Sequence, residues 1–165
     1  ATMLPPDPLA AYQNAPLADL LAILLRQFRR PLANKGVNLS DAEAETLARA
    51  IEAGEATPEQ TAGLRGALAA LVDESEAVLG RWGLTFEEAL DTEISGIPGW
   101  ETTAEFLEIA NEKTNAELRI STGVSLLVAL GDPRYLTRLR LLARRVDDLD
   151  GVIARRIVEM VEGRA

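Results

Sequence analysis

Glutamates recur at helical spacing in the stretch EFLEIANEKTNAELR, residues 105–119. On a helix, Glu105, Glu108 and Glu112 lie at i, i+3 and i+7, which places their carboxylates along one face. Carboxylate oxygens are the ligands that Mg²⁺ and Mn²⁺ prefer in proteins. The row therefore indicates one side of a divalent-metal site, whose other ligands would come from a second helix, waters and substrate phosphates.

The same row has a plainer interpretation, as the solvent-facing side of an amphipathic helix. Charged rows on helices are most often exposed. Glu108 and Glu112 repel each other weakly at i, i+4, and Glu105 gains a similar amount near the helix N-terminus. Nothing in these local energies requires a metal, so the sequence favours an exposed face and keeps the metal site as the alternative.

Glu105-x-x-Glu108 resembles the first half of the metal motif in the all-α nucleotide pyrophosphohydrolases. In that family, one helix presents a Glu-x-x-Glu pair and the next presents Glu-x-x-Asp. The one Glu-x-x-Asp in this chain, Glu88 to Asp91, comes before the pair and not after it. The resemblance implies a Mg²⁺-dependent nucleotide hydrolase as an alternative function, with half of the motif out of its usual order.

Three arginines, Arg134, Arg138 and Arg145, share one face of a predicted helix and are candidates for contact with phosphate. The charge of the chain argues against nucleic acid as the partner. Net charge is −9, and residues 41–117 hold 18 acidic against 4 basic side chains. Such a segment would be repelled by a phosphate backbone. Salt bridges to the acidic helices, or an interface with another subunit, are the favoured roles.

Both tryptophans, Trp82 and Trp100, lie in the glycine-rich segment 80–100. Exposed tryptophan is favoured at protein interfaces, whereas a tryptophan that closes the end of a core is the commoner role. If they are exposed at an interface, both tryptophans are candidate binding residues.

Two absences limit the chemistry more than any motif does. The chain has no cysteine and no histidine. It therefore lacks thiolate nucleophiles, disulfides, Cys- or His-ligated zinc and the Ser-His-Asp triad. Any metal would be held by oxygen ligands.

Helix-start signals divide the chain clearly. A serine or threonine with an acid three residues later marks several starts, and Thr57-Pro58 and Asp132-Pro133 add proline at the first helical position. The predicted starts are Pro16, Ser40, Thr57, Thr85, Thr102, Asp132 and Val152. Pro31 is expected to end the first helix, and Gly151 the sixth.

These signals predict an all-α fold, a single-domain antiparallel bundle of five to seven helices spanning 1–165, with residues 1–15 extended or partly disordered. No window alternates apolar and polar residues as a strand does. The connections are short, which favours neighbouring antiparallel helices.

One charged residue interrupts the apolar seam of the predicted fifth helix. Lys113 is the charged member of a 3–4 spaced row that otherwise comprises Phe106, Ile109, Ala116, Ile120, Val124 and Leu127. We expect its ammonium to extend along its neighbours to water. The alternative is a specific pair with a buried carboxylate.

Together these observations favour a non-catalytic interaction or regulatory module that self-associates, with a homodimer expected. No cofactor is expected, Mg²⁺ or Mn²⁺ being the alternative, and nucleic acid is the least favoured partner. No apolar run approaches the ~20 residues needed to cross a bilayer, and no basic and apolar leader is present, so a cytoplasmic location is expected. The 15 arginines against 2 lysines suggest a GC-rich bacterial genome.

Overall fold

The computed structural model describes the backbone of residues 8–81, 83–91, 104–145 and 149–163, with the side chains of these residues except 8, 9, 60, 91 and 104–111. Nine α-helices and one 3₁₀ helix occupy the described ranges, which contain no strand. The helices are α1 (Pro8–Asn14), α2 (Leu17–Gln27), α3 (Arg29–Asn34), α4 (Asp41–Ala53), α5 (Pro58–Arg81), α6 (Phe86–Asp91), α7 (Ala104–Ala129), the 3₁₀ turn Pro133–Tyr135, α8 (Leu136–Ala143) and α9 (Leu149–Gly163). The all-α class is confirmed.

Helix α7 lies at the centre of the fold. It packs most extensively against α5, and also against α9, α8, α6 and α2. Residues 120–130 are buried without exception, so this half of α7 is enclosed on all sides. This explains why the stretch from Ile120 to Leu130 carries no charge, because an ionised side chain there would be far from water. Every described member of the predicted seam, from Lys113 to Leu127, is buried.

The predicted helix starts at Ser40 and Thr85 are confirmed. Ser40 and Glu43 form a reciprocal capping box at the start of α4, and Gly54 ends that helix in the left-handed conformation at φ 71°. Thr85 and Glu88 exchange the same pair of hydrogen bonds before α6, at 3.2 and 3.3 Å. These caps satisfy backbone groups that the helix cannot pair itself.

The N-terminal third differs from the prediction. Residues 8–14, expected to be extended, form α1, which begins with Pro8 at its first position. Pro31 does not end a helix. The break falls at Phe28, and Pro31 lies in the first turn of α3, where its missing N–H has no partner to lose. The sequence predicts five to seven helices. With α1 and α3, the described residues contain nine α-helices.

The predicted break at Gly151 is also wrong. Gly151 lies inside the first turn of α9, fully buried against the end of α8. A Cβ on Gly151 would lie 1.9 Å from the carbonyl oxygen of Arg145. Glycine is therefore used here for close packing of two chain segments and not as a helix stop.

Among the described residues, no helix has the length and apolar composition needed to cross a bilayer.

Candidate functional site

The acidic row lies on α7, which confirms its helical placement. The backbone of Glu105 and Glu108 belongs to the first turns of α7, and their side chains lie outside the described residues. Glu112 is described, and its Oε1 accepts a hydrogen bond from Arg81 Nη2 on α5 at 3.0 Å. No group of three or more potential ligands converges among the described side chains. A metal site at these three glutamates remains a prediction.

The three candidate arginines each meet a carboxylate of the same chain. Arg138 bridges to Glu76 on α5 at 3.0 Å, and Arg145 bridges to Glu117 on α7 at 3.0 Å. Arg134 pairs with the neighbouring Asp132. The pairs of Arg138 and Arg145 are salt bridges to the acidic helices, as expected, whereas Arg134 pairs within its own turn.

Asp132 holds the turn that leads into α8. Its Oδ1 accepts from the backbone N–H of Arg134 at 3.0 Å, and its carboxylate also accepts from the Arg134 guanidinium. The side-chain hydrogen bond from Arg134 is the main reason that the pKa of Asp132 lies below its ordinary value, against the opposing effect of burial. Tyr135 lies beneath both guanidinium groups, with Arg134 and Arg138 5.7 and 5.3 Å from its ring centroid. The arginine face is thus a structural network.

Trp82 and Trp100 lie outside the described residues, so their binding role remains a prediction.

Lys113 is buried, and the expectation that its ammonium reaches water is wrong. Only 5% of the side chain is exposed. Its Nζ donates to the carbonyl oxygen of Ala89 on α6 at 3.4 Å and lies 4.0 Å from Glu117 Oε2. The other oxygen of Glu117 accepts from Arg145. Acceptors inside the bundle therefore replace the water that the lysine would otherwise seek.

A cavity with a volume of about 490 Å³ lies where α2 and α3 meet α7 and α9. We call it the α2–α7–α9 cleft, and its lining residues are Gln27, Phe28, Pro31, Asn115, Leu118, Arg119, Thr122 and Asp150. Two of these, Asn115 and Arg119, continue the acidic row of the sequence. The part of the row that lines the cleft is therefore its C-terminal part, Asn115 and Arg119, and not its glutamates.

Apolar groups form an unusual part of this surface. Phe28 is buried at the base of the cleft, whereas Leu118 is 46% exposed. The other large apolar side chain exposed among the described residues is Leu149, which adjoins the lining residue Asp150. Leu118 therefore lies in the cleft lining, and Leu149 is the neighbour in sequence of a lining residue. An apolar centre with a polar rim is the usual composition of a protein interface.

The rim of the cleft carries both signs of charge. Arg119 is exposed and forms no hydrogen bond or ion pair with the described residues. Asp150, on α9, is half-buried, and Thr122 is buried. Asp150 is the one carboxylate among the described lining residues, and the chain has no imidazole or thiol. These groups can bind and orient a partner, but they form no nucleophile and base pair.

Sequence reasoning missed Leu118 because it departs from the seam and looked like an ordinary member of the polar face. One signal was available. Between Glu112 and Arg119, the residues on the outer side of α7 are polar except Leu118. The cleft itself could not be found in this way, because its walls come from residues about 90 and 120 positions apart.

Comparisons with family models, with curated proteins and with solved structures give no match to this chain.

Proposed function

We propose that this chain is a non-catalytic helical interaction module, folded as a single antiparallel bundle, that self-associates through the α2–α7–α9 cleft. The observation that carries the proposal is the position of Leu118 and Leu149, the large apolar side chains exposed among the described residues. Leu118 lines the cleft, and Leu149 directly precedes the lining residue Asp150 on α9. Burying such side chains against a partner is favourable by roughly 25 cal/mol per Å².

The same surface is complementary to itself, which supports a second copy as the partner. A two-fold interface uses one patch twice, so the patch must hold both members of each contacting pair. The cleft offers an exposed apolar side chain, Leu118, beside a cavity with Phe28 at its base. It also offers a cation, Arg119, and an anion, Asp150. In a two-fold dimer, Leu118 of each copy fills the cleft of the other, and Arg119 of each faces the other's Asp150.

The three candidate arginines outside the cleft support this choice, because they already form ion pairs within the chain. Arg134, Arg138 and Arg145 are each committed to a carboxylate of the same chain. Releasing Arg134 or Arg138 toward a partner would take the arginine away from a carboxylate of the chain, in the first case the largely buried Asp132. Arg119 has no ion-pair partner among the described residues, so it can pair with a carboxylate of a second copy without giving up a described contact of its own.

Light scattering across a concentration series tests the proposal. We expect the wild-type mass to rise from that of the 17.8 kDa chain to twice that value between about 1 µM and about 1 mM. Leu118→Glu places a charge in the apolar centre and is expected to hold the protein at the single-chain mass.

Ala62→Glu is the matched control. Ala62 is exposed on α5 and is not among the residues that line the cleft, and it lies one turn from Arg65, which donates to the carbonyl of Leu130 just after α7. This variant adds the same charge and should associate as the wild type does. A wild-type protein that stays at the single-chain mass throughout would contradict the proposal, as would unchanged association of Leu118→Glu.

A further inference from the structure

A second, smaller cavity of about 210 Å³ lies between α1 and α9, away from the α2–α7–α9 cleft. We call it the α1–α9 cavity. Its lining residues are Gln13 from α1 and Val152, Arg155, Arg156 and Glu159 from α9. The four α9 residues follow at i, i+3, i+4 and i+7, so they form one face of that helix.

Arg156 has a structural role in this cavity. Its Nη1 donates to the backbone carbonyl of Tyr12 at 3.0 Å and also to that of Ala15. These carbonyls belong to the C-terminal end of α1, where unpaired carbonyl groups and the helix dipole favour a cation. Arg156 therefore holds α1 against α9.

Arg155 has no such partner. It is half-buried, its Nε is closed off from solvent, and no hydrogen-bond acceptor or ion-pair partner for it lies among the described residues. The other described basic residues without a partner are exposed, namely Arg30, Arg119 and Arg144. Among the described residues, the Nε of Arg155 is thus the one buried guanidinium nitrogen without a hydrogen-bond acceptor. Such a group is costly unless something supplies that acceptor.

The remaining cavity residues indicate the kind of acceptor. Gln13 offers an amide donor beside the guanidinium of Arg155. Glu159 is an exposed carboxylate of the same cavity and disfavours a ligand with two negative charges. Guanidinium pairs with carboxylate through charge-assisted hydrogen bonds. A cavity of this volume holds a small molecule or one side chain.

We propose that the α1–α9 cavity binds a small monocarboxylate, held by Arg155 and Gln13. The ligand joins the two helices, because one of its partners is on α1 and the other is on α9. Helix α1 has its main contacts with α9. Occupancy therefore stabilises the docking of α1, and we expect it to slow amide hydrogen exchange in residues 10–15.

Acetate, phosphate and chloride titrations at constant ionic strength test the site, with ¹⁵N chemical shifts as the readout. We expect saturable shifts at Gln13 and Arg155 with acetate, weaker binding of phosphate, and no saturation with chloride. Arg155→Gln should weaken acetate binding at least tenfold. Arg144→Gln, which removes an exposed and unpaired arginine outside the cavity, should leave it unchanged.

A gain-of-affinity variant keeps the test independent of any folding defect. Glu159→Gln removes the repelling carboxylate and should tighten acetate binding about two- to fivefold. The absence of saturable acetate shifts in the wild type would overturn the proposal. Equal acetate binding by Arg155→Gln and Arg144→Gln would also overturn it, and tighter binding of phosphate than acetate would overturn the ligand class.

A carboxylate side chain from a second copy could occupy the same cavity, so the titration is run at two protein concentrations. A free small ligand predicts the same apparent acetate affinity at both. An affinity that falls as protein concentration rises would show competition from the second copy and would overturn the proposed source of the carboxylate.

Discussion

Gly123 of α7 lies against Val72 of α5 so closely that a Cβ on Gly123 would come within 2.7 Å of Val72 Cγ2. Val72 is fully buried, and its branched side chain has little rotameric freedom with which to move away. The packing of α5 against α7 is the most extensive helix contact among the described residues, and it depends on Gly123 having no side chain. Phe28, at the base of the α2–α7–α9 cleft, lies 3.9 Å from the same point.

Gly123→Ala is expected to destabilise the protein. Overpacking costs about 1–3 kcal/mol, which outweighs the ~1 kcal/mol that alanine gains over glycine in a helix. Gly66, on α5, is the matched control because a Cβ there meets nothing within 4 Å. Gly66→Ala should raise the free energy of unfolding by about 0.5–1 kcal/mol. Urea denaturation of both variants checks the pair, and a Gly123→Ala protein at least as stable as wild type would contradict the packing described.

Lys113 and Glu117 are expected to be energetically coupled. Glu117→Gln removes the carboxylate that lies 4.0 Å from the buried Lys113 ammonium and should cost about 1–3 kcal/mol, less than a fully buried pair because Glu117 is 21% exposed. Lys113→Met should be close to neutral, since Glu117 keeps Arg145. In the double variant, the loss should be smaller than the sum of the single losses. Urea denaturation of the four proteins measures this coupling, and additive effects within about 0.5 kcal/mol would refute it.

Asp132 should contribute to acid denaturation with a defined sign. Its pKa in the folded chain lies below the ordinary 3.8, chiefly through the hydrogen bond from Arg134. The stabilisation is therefore fully present above about pH 4 and is lost as pH falls through the lowered pKa. Asp132→Asn keeps a capping oxygen but not the charge. Its stability deficit should be present at pH 6 and vanish near about pH 2, as measured by urea denaturation. A deficit that does not change with pH would exclude this role.

The sequence predicted the helices whose ends are decided locally. Ser40 with Glu43, Thr57-Pro58 and Gly131-Asp132-Pro133 each satisfy backbone groups within a few residues, so their effect is visible in the chain itself. Pro31 and Gly151 misled the prediction for different physical reasons. Pro31 is tolerated in the first turn of α3, whereas Gly151 is needed because the backbone of Arg145 packs closely against it.

The site was less predictable than the fold. Helical periodicity placed Asn115 and Arg119 on one face, but the cleft that they line also needs Gln27, Phe28 and Asp150 from other helices. Lys113 was placed correctly in the apolar seam, but its ammonium was wrongly expected to reach water. Glu117 lies on the same helix, whereas the carbonyl of Ala89 becomes an acceptor only once α6 packs on α7. The spacing of residues along one helix predicts which side chains share a face. Which residues of other helices pack against that face is decided only when the bundle folds.

The contact between two copies at the cleft is tested most directly by intermolecular paramagnetic broadening. The chain has no cysteine, so Thr114→Cys gives a single spin-label site, exposed on α7 one turn before Leu118. Unlabelled, spin-labelled protein is mixed with ¹⁵N-labelled protein. We predict that broadening is concentrated on the amides of Gln27, Leu118 and Asp150 of the ¹⁵N-labelled copy and leaves Ala62 unaffected. Broadening that is absent, or that is as strong at Ala62 as at the cleft, would contradict self-association through the α2–α7–α9 cleft.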